Sequence, residues 1–190
     1  GDAARVRELI EAKADIETTD SQGWTPLIMA CFHGHEACAR ALITAKASLD
    51  AAATKGHTAL MCACQKGHMA CALELIKAGA KLDDVSKSGS ATLSIARKNG
   101  HDAICSLLEA APAITVLLAT AQVEDASALL GKLLGNGVLS VTALAVLSAA
   151  DLQSQYGLAA EQAEALTAAA KVESLAQLMT ASGNGDEARV

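Results

Sequence analysis

The chain has 190 residues, 52% of them hydrophobic, with one Trp, one Phe and one Tyr and a net charge of −6 at pH 7. This length allows one large domain or two small ones, and an alanine-rich, aromatic-poor composition favours packed helices over sheets. An acidic chain without a basic stripe argues against nucleic acid as a partner. The longest apolar run, 110–121, has 12 residues and is shorter than the roughly 20 that a membrane span needs, so we expect no direct membrane span.

The first residues match a stretch that lies further along the chain. The apolar positions of Val6–Ile10 recur in Ala39–Ile43, which belongs to the second half of a repeated pattern. We therefore predict that the chain begins in the second half of a repeat. Since it also lacks an initiator Met, we expect that residue 1 is not the natural start and that earlier repeats or a targeting sequence are missing.

The repeated pattern covers Gly23–His35 and Gly56–His68, and in weaker form Gly89–His101. Its period is constant from one copy to the next. A fixed period of about 33 residues is typical of stacked repeats. In such proteins each unit buries its apolar face against its neighbours.

Each unit has the signals of two helices joined by a glycine turn. Thr25-Pro26 supplies the cap and first turn of a helix, Gly34 ends that helix, and His35 begins the next one. Gly79 stops the second helix of the second unit, and Lys46 replaces it in the first. The third unit lacks the Thr-Pro pair but keeps the other signals.

In this order of residues, the units resemble the ankyrin repeat. The resemblance covers residues 1–113 and implies an all-α helical solenoid of a half repeat plus three repeats, with phases starting near residues 23, 56 and 89. Asp20 begins the first loop with the acidic residue of the family, whereas Ala53 and Ser86 do not. We expect those two loops to be less rigid.

After Pro112 the period stops, and residues 114–181 are predicted to form a small helical bundle. This part is the acidic one: residues 1–113 hold 12 Lys and Arg against 13 Asp and Glu, a net charge of −1, and residues 114–190 hold 3 against 8, a net charge of −5. The predicted helices are 114–121, 123–134, 140–147, 148–157 and 160–178, with Ser140 and Ser148 as caps and Gly157 as a stop. Residues 182–190 are expected to be a flexible tail.

The run Leu144–Leu152, followed by Tyr156–Leu158 and a long final helix, is similar to the sterile alpha motif (SAM) domain. The match covers residues 123–175, but the aromatic residues of that family are absent. The likeness implies self-association or docking with another such domain. An unrelated helical cap is the alternative.

The cysteines occupy repeat positions. Cys31 and Cys64 are one period apart, as are Cys38 and Cys71. Equivalent positions in stacked helices lie roughly 8–10 Å apart, whereas a disulfide needs Cα atoms within about 7 Å. We therefore predict small buried hydrophobic side chains in a reducing compartment.

The spacing of Cys62, Cys64, His68 and Cys71 superficially resembles a zinc set. Cys62 and Cys64 point to nearly opposite sides of one helix, and the other three positions recur in the first unit as repeat residues. We therefore predict neither a metal site nor a cofactor. No phosphate-binding glycine motif or nucleophile–base pair is evident, so we also predict that the protein is not an enzyme.

The candidate binding residues are the places where one unit differs from the next. The resemblance implies that partners bind a concave face formed by loop tips and first helices. On this chain these positions are Ser21, Gln22, Trp24, Phe32, His33, Thr54, Lys55, His57, Gln65, Lys66, Lys87, Ser88, Ser90, Lys98 and Asn99. The only Trp and Phe thus stand beside a basic strip with no carboxylate in the set. The alternative is that Trp24 and Phe32 pack on each other or under a missing preceding repeat.

The sequence favours a protein–protein interaction module or scaffold that binds an apolar and acidic partner segment through this groove. The alternative is a structural or accessory subunit of a larger assembly, docked through its acidic helical part. We expect an intracellular, reducing compartment; the cytoplasm is favoured, and an organelle is left open because the natural start is expected to be missing.

Overall fold

The computed structural model describes residues 1–123, 126–138 and 140–183. Within these ranges the regular structure is helical, apart from an isolated antiparallel bridge between Val85 and Ala91. The chain divides into two compact parts, Gly1–Leu108 and Glu109–Val190, which we call the repeat domain and the C-terminal domain. The boundary at 113/114 that the sequence suggests stays a prediction.

The repeat domain stacks pairs of short helices in two layers. The helices are α1 (Ala3–Glu11), α2 (Pro26–Phe32), α3 (Glu36–Thr44), α4 (Ala59–Lys66), α5 (Met69–Lys77) and α6 (Thr92–Lys98). One layer packs α2 on α4 and α4 on α6, and the other packs α1 on α3 and α3 on α5. We call these the inner and outer helices. This architecture confirms the predicted all-α solenoid.

The helix signals act as the sequence predicts. The Thr25 hydroxyl accepts a hydrogen bond from the backbone N–H of Ile28 at 3.3 Å, and the Thr58 hydroxyl accepts one from Met61 at 3.4 Å. Ala91, at the same place in the third unit, makes no side-chain cap bond. The first two units thus share a threonine cap that the third unit lacks.

The outer helices stop at one repeat position. Lys13, Lys46 and Gly79 are each one period apart, and their φ angles are 59°, 66° and 90°. A left-handed backbone is natural for glycine and costs a lysine roughly 1–2 kcal/mol. Lys46 therefore does replace the glycine stop, as predicted, but at a conformational cost.

The next residue in this series is Pro112, and there the helix continues. Helix α7 runs from Asp102 to Thr120 with Pro112 inside it. The ring of proline holds φ at a negative value, so this residue cannot adopt the left-handed conformation of a stop. The prediction of a separate helix beginning at residue 114 is therefore wrong. Proline at position 112 prevents the left-handed stop, and α7 continues through it to Thr120.

One helix in the described part of the chain, α7, is long and apolar enough to cross a membrane by length and composition, with a mean hydropathy of 1.8. Half of that stretch is buried inside the protein. Its buried side chains include Ile104, Leu107, Ile114 and Leu118. The apolar run 110–121 of the sequence analysis begins eight residues after the start of α7 and so covers only part of this helix.

The C-terminal domain contains, after the end of α7, the helices α8 (Ala126–Gly135), α9 (Val141–Val146), α10 (Ala149–Tyr156) and α11 (Ala160–Gly183). Ser140 caps α9, and Ser148 forms a reciprocal capping box with Asp151 on α10. Helix α11 packs on α9 and α10. The predicted tail 182–190 lies outside the described residues from position 184 onward, and its first two residues belong to α11.

Candidate functional site

The loop before α2 places the only tryptophan of the chain. The Asp20 carboxylate accepts hydrogen bonds from the backbone N–H groups of Gln22 and Trp24, at 2.8 and 2.9 Å. The next loop has Ala53 in place of this carboxylate. A hydrogen bond to the preceding loop holds it instead: Thr54 donates its backbone N–H to the Gln22 carbonyl at 2.9 Å. The loop tips are therefore joined from one unit to the next.

The same joining continues along the stack. The Thr54 hydroxyl also donates to the Gln22 carbonyl, at 2.7 Å, and the Lys87 N–H donates to the Lys55 carbonyl at 3.1 Å. Backbone groups of three successive loops are thus tied together, so their side chains are displayed along one continuous edge.

Phe32 is the centre of an aromatic and cationic cluster. Its ring centroid lies 4.9 Å from that of Trp24 in an edge-to-face arrangement and 5.2 Å from that of His33. The Lys66 Nζ lies 4.5 Å from the Phe32 centroid, over the ring, which is a cation–π contact. Trp24 and Phe32 do pack on each other, but both remain partly exposed.

A cavity of about 510 Å³ lies beside this pair, and we call it the groove cavity. The first unit lines it with Ser21, Gln22, Trp24 and Phe32, and the second with Ala53, Thr54, Lys55, His57 and Gln65. None of these nine residues is acidic. All except Ala53 belong to the sequence-predicted set, so the structure brings eight of those side chains together.

The other predicted residues lie elsewhere. His33 is exposed and does not line the groove cavity, but its ring lies 5.2 Å from that of Phe32 and stacks on that of His35 with centroids 5.9 Å apart. Asn99 donates its side-chain amide to the Ile95 carbonyl at 2.8 Å. Lys87, Ser88, Ser90 and Lys98 belong to the third unit and do not line this cavity.

The contact between Lys66 and Phe32 was not predicted. Lys66 stands one period after His33, so the repeat predicts only that Lys66 holds in the second unit the place that His33 holds in the first. Its long side chain instead reaches back over the ring of the preceding unit. A search for cations one period after the residue that follows an aromatic would have found this pair, because His33 follows Phe32 and Lys66 is one period after His33.

The histidines that begin the outer helices pack against glycines of the preceding unit. The ring of His68 lies against Gly34 and that of His101 against Gly67, and a Cβ on either glycine would be 2.6 Å from the ring. Neither His35 nor His68 makes a side-chain cap bond. Their place in the repeat is thus explained by packing between units.

The six cysteines are buried free thiols. A hydrogen bond with Cys71 and burial raise the pKa of Cys31, and burial raises the pKa of Cys62 to about 11 and that of Cys64 to about 12. The three thiols whose pKa is raised, Cys31, Cys62 and Cys64, stay protonated near neutral pH and are poor nucleophiles and metal ligands. Among the described residues, no group of three or more His, Cys, Asp or Glu side chains is placed to hold a metal ion.

Two stacked layers of paired helices joined by exposed loop tips define a helical repeat protein. The model of the family described as ankyrin repeats (3 copies) matches residues 1–86 and 45–116. The chain therefore belongs to the ankyrin-repeat family, whose members are generally protein–protein interaction modules and are typically non-catalytic. No curated protein matches the chain.

Proposed function

We propose that the repeats bind a protein segment in the groove cavity, with an apolar side chain against Trp24 and Phe32 and acidic neighbours facing the lysines. The observation that supports this most is the meeting of the only Trp and only Phe of the chain beside an open cavity without a lining carboxylate. Partly exposed aromatic pairs supply contact area at little entropic cost, and tryptophan is enriched at binding hot spots.

The lysines give this surface its charge preference. Lys55 lines the cavity, Lys66 lies over Phe32, and Lys87 is joined through its backbone to the Lys55 loop. Exposed cations of this kind steer and orient an acidic segment more than they add affinity. Lys98 and Asn99 on the third unit extend the proposed strip, and His33 borders its aromatic end.

A peptide-display selection against the full chain tests the proposal. We expect the selected peptides to share a large apolar residue with Asp or Glu within a few positions. Phe32→Ala should weaken binding of a selected peptide at least ten-fold, because hot-spot aromatics contribute on the order of 2 kcal/mol. Lys55→Glu should weaken it mainly at low salt.

Lys81→Glu is the matched charge control, because Lys81 is exposed in the repeat domain outside the groove cavity. Its ion pair with Asp50, at 3.9 Å, is exposed and contributes little to stability. Each variant is first compared with the wild type in thermal unfolding, so that loss of fold is separated from loss of binding. Selected peptides without acidic residues, or equal binding by Phe32→Ala, would refute the groove proposal.

We also propose a second role, association through the acidic part of the chain. Val172, Leu175 and Leu178 on α11 are each more than 60% exposed, and they follow one another at spacings of three. The capped α10, the stop at Gly157 and the long α11 are features that a SAM-like domain shares, and they support that resemblance. The net negative charge of residues 114–190 favours docking to another protein of a larger assembly over self-association of this part of the chain.

Sedimentation of the full chain over a range of concentrations tests this second role. Leu175→Glu should reduce any association, and Ala176→Glu on the same helix adds the same charge while leaving the three large apolar side chains in place. A strict monomer at all concentrations would count against self-association. The six buried thiols support a reducing, intracellular compartment, and localisation of the tagged chain would test that proposal.

A further inference from the structure

The solvent-facing side of α11 changes from acidic to apolar along the helix. Each residue turns a helix by about 100°, and four exposed residues fall on one side: Glu161, Glu164, Val172 and Leu175. The buried side chains of Ala163, Leu166 and Ala170 fall on the opposite side, and α11 packs on α9 and α10. Val172 is 68% exposed and Leu175 is 61% exposed. The solvent-facing side therefore carries two carboxylates near the start of α11 and two large apolar side chains further along.

The candidate binding residues of the repeat domain change in the same way from the first unit to the third. Phe32, Gln65 and Lys98 stand one period apart, at or next to the ends of α2, α4 and α6. Trp24 lies beside Phe32, and Lys87 belongs to the loop before α6. The binding surface thus begins with two aromatic side chains in the first unit and ends with two lysines in the third.

The two surfaces have matching lengths. Packed helices lie roughly 8–10 Å apart, so two repeat spacings place Lys98 roughly 16–20 Å from Phe32. On α11 the two carboxylates precede the two apolar side chains by 11 residues, from midpoint to midpoint, which is about 16 Å at the helical rise per residue. When the apolar turn of α11 lies against Phe32, its carboxylates therefore reach the lysines.

The charges on both surfaces lack ion-pair partners within the described part of the chain. No described carboxylate lies within ion-pair distance of Lys87 or Lys98, whereas Arg40 on an outer helix has two carboxylate partners. Likewise, no described cation lies within that distance of Glu161 or Glu164. Contact between two acidic C-terminal domains brings like charges together, whereas the groove of a second copy offers the opposite charge.

We propose that the groove of one copy of the chain binds the solvent-facing side of α11 from a second copy. The apolar turn of α11 packs against Phe32, and its two carboxylates face Lys87 and Lys98. Lys171 on α11 then lies near the first unit, whose candidate residues include no lysine. The proposal rests on the groove function proposed above, for which it names the partner. Because the contact joins two different surfaces, each copy can bind one neighbour through its groove and another through its α11.

Sedimentation of complementary variants of the full chain tests this arrangement. Phe32→Ala removes the aromatic anchor of the groove, and Leu175→Glu places a charge on the apolar turn of α11. The wild type should associate as its concentration rises, and each variant alone should associate at least ten-fold more weakly. An equal mixture of the two variants should form a 1:1 pair that grows no further, because the intact α11 of the first meets the intact groove of the second.

A charge reversal tests the register of the contact. Lys98→Glu and Glu164→Lys should each weaken association several-fold at low salt. The double variant should recover most of the association, because opposite charges face each other again. Glu173→Lys is the matched control, since Glu173 lies about 100° from Val172 around α11 and outside the proposed contact. No recovery in the double variant would contradict the proposed pairing.

All variants are first compared with the wild type in thermal unfolding. A wild-type chain that stays monomeric at all concentrations overturns the proposal. So does association of Phe32→Ala equal to that of the wild type, because the contact then joins two copies of α11. Binding of a selected peptide is measured on Leu175→Glu, whose own helix cannot compete for the groove. Peptide binding without a 1:1 pair refutes this inference alone, and the absence of both refutes the groove function as well.

Discussion

The two ends of the repeat stack are built in opposite ways. At the α1 end the helix stops at Lys13 in a left-handed conformation, and its apolar face is left uncovered. At the α7 end the stop position holds Pro112, and the helix continues to Thr120 with Leu107 and Leu108 buried. The repeat position of Lys13 and Pro112 thus decides whether an outer helix ends or continues. The repeat position of Leu9 and Leu42 is exposed in one unit and buried in the next.

The largest expected effect separates the interior of the stack from its α1 end. Leu42→Ala should cost about 2–5 kcal/mol of unfolding free energy, because it opens a cavity in a packed interface. Leu9→Ala, at the same repeat position, should cost less than about 1 kcal/mol because Leu9 is already 44% exposed. Urea unfolding followed by Trp24 fluorescence measures both. Equal losses would show that α1 is as well covered as α3.

The second prediction concerns the α7 end. Pro112→Ala should stabilise the chain by roughly 1–3 kcal/mol, because alanine restores a helical N–H and removes the steric conflict of proline inside a helix. Pro112→Gly should gain less, since glycine costs up to about 1 kcal/mol relative to alanine. Thermal unfolding by circular dichroism measures both variants. A loss of stability in Pro112→Ala would show that the proline holds a geometry the helix needs.

A third pair of variants tests the helix caps between the ends. Thr58→Ala should cost about 1 kcal/mol, because the N–H of Met61 loses its acceptor. Ala91→Thr supplies the missing acceptor at the same place in the third unit and should gain up to a similar amount. Chemical unfolding of the two variants measures the difference. No gain in Ala91→Thr would mean that the third unit starts its helix by other contacts.

The smallest effect is at the stop positions. Lys46→Gly should stabilise by roughly 1 kcal/mol, because glycine adopts the left-handed conformation without strain. Lys13→Gly, at the α1 end, should gain a similar amount if its stop is equally fixed. Gly79→Lys is the reverse change and should be destabilising. The unfolding midpoints of the three variants are compared with that of the wild type. A higher midpoint in Gly79→Lys would contradict the prediction.

The periodic part of the fold is well predicted from sequence because each local signal repeats at a fixed place. The caps Thr25 and Thr58 and the substitution of a glycine stop by Lys46 follow from comparing units. A proline inside an apolar run predicts a break, so the continuation of α7 through Pro112 does not follow from that local signal, although the position of Pro112 in the series of stops indicates it. Side-chain reach across units is harder to predict, because it depends on rotamers that the period does not specify.

Lys66 and His33 show this limit at the candidate site. They occupy equivalent positions, yet Lys66 reaches over the Phe32 ring of the preceding unit, whereas His33 meets the Phe32 ring of its own unit edge-to-face and stacks on His35. The thiols give a second case: the side chain that raises the pKa of Cys31 most is that of Cys71, which is not its equivalent in the repeat. Contacts between equivalent positions follow from the sequence, and contacts between different positions need the structure.

The central proposal is that a partner segment binds against Trp24 and Phe32. The most direct measurement is the indole N–H resonance of Trp24 in the labelled full chain, which is a single peak because Trp24 is the only tryptophan. Titration with a selected acidic and apolar peptide should shift this peak to saturation, together with the amides of Phe32 and Lys55. An unmoved indole peak, with the shifts confined to other parts of the chain, would contradict the groove cavity as the binding site.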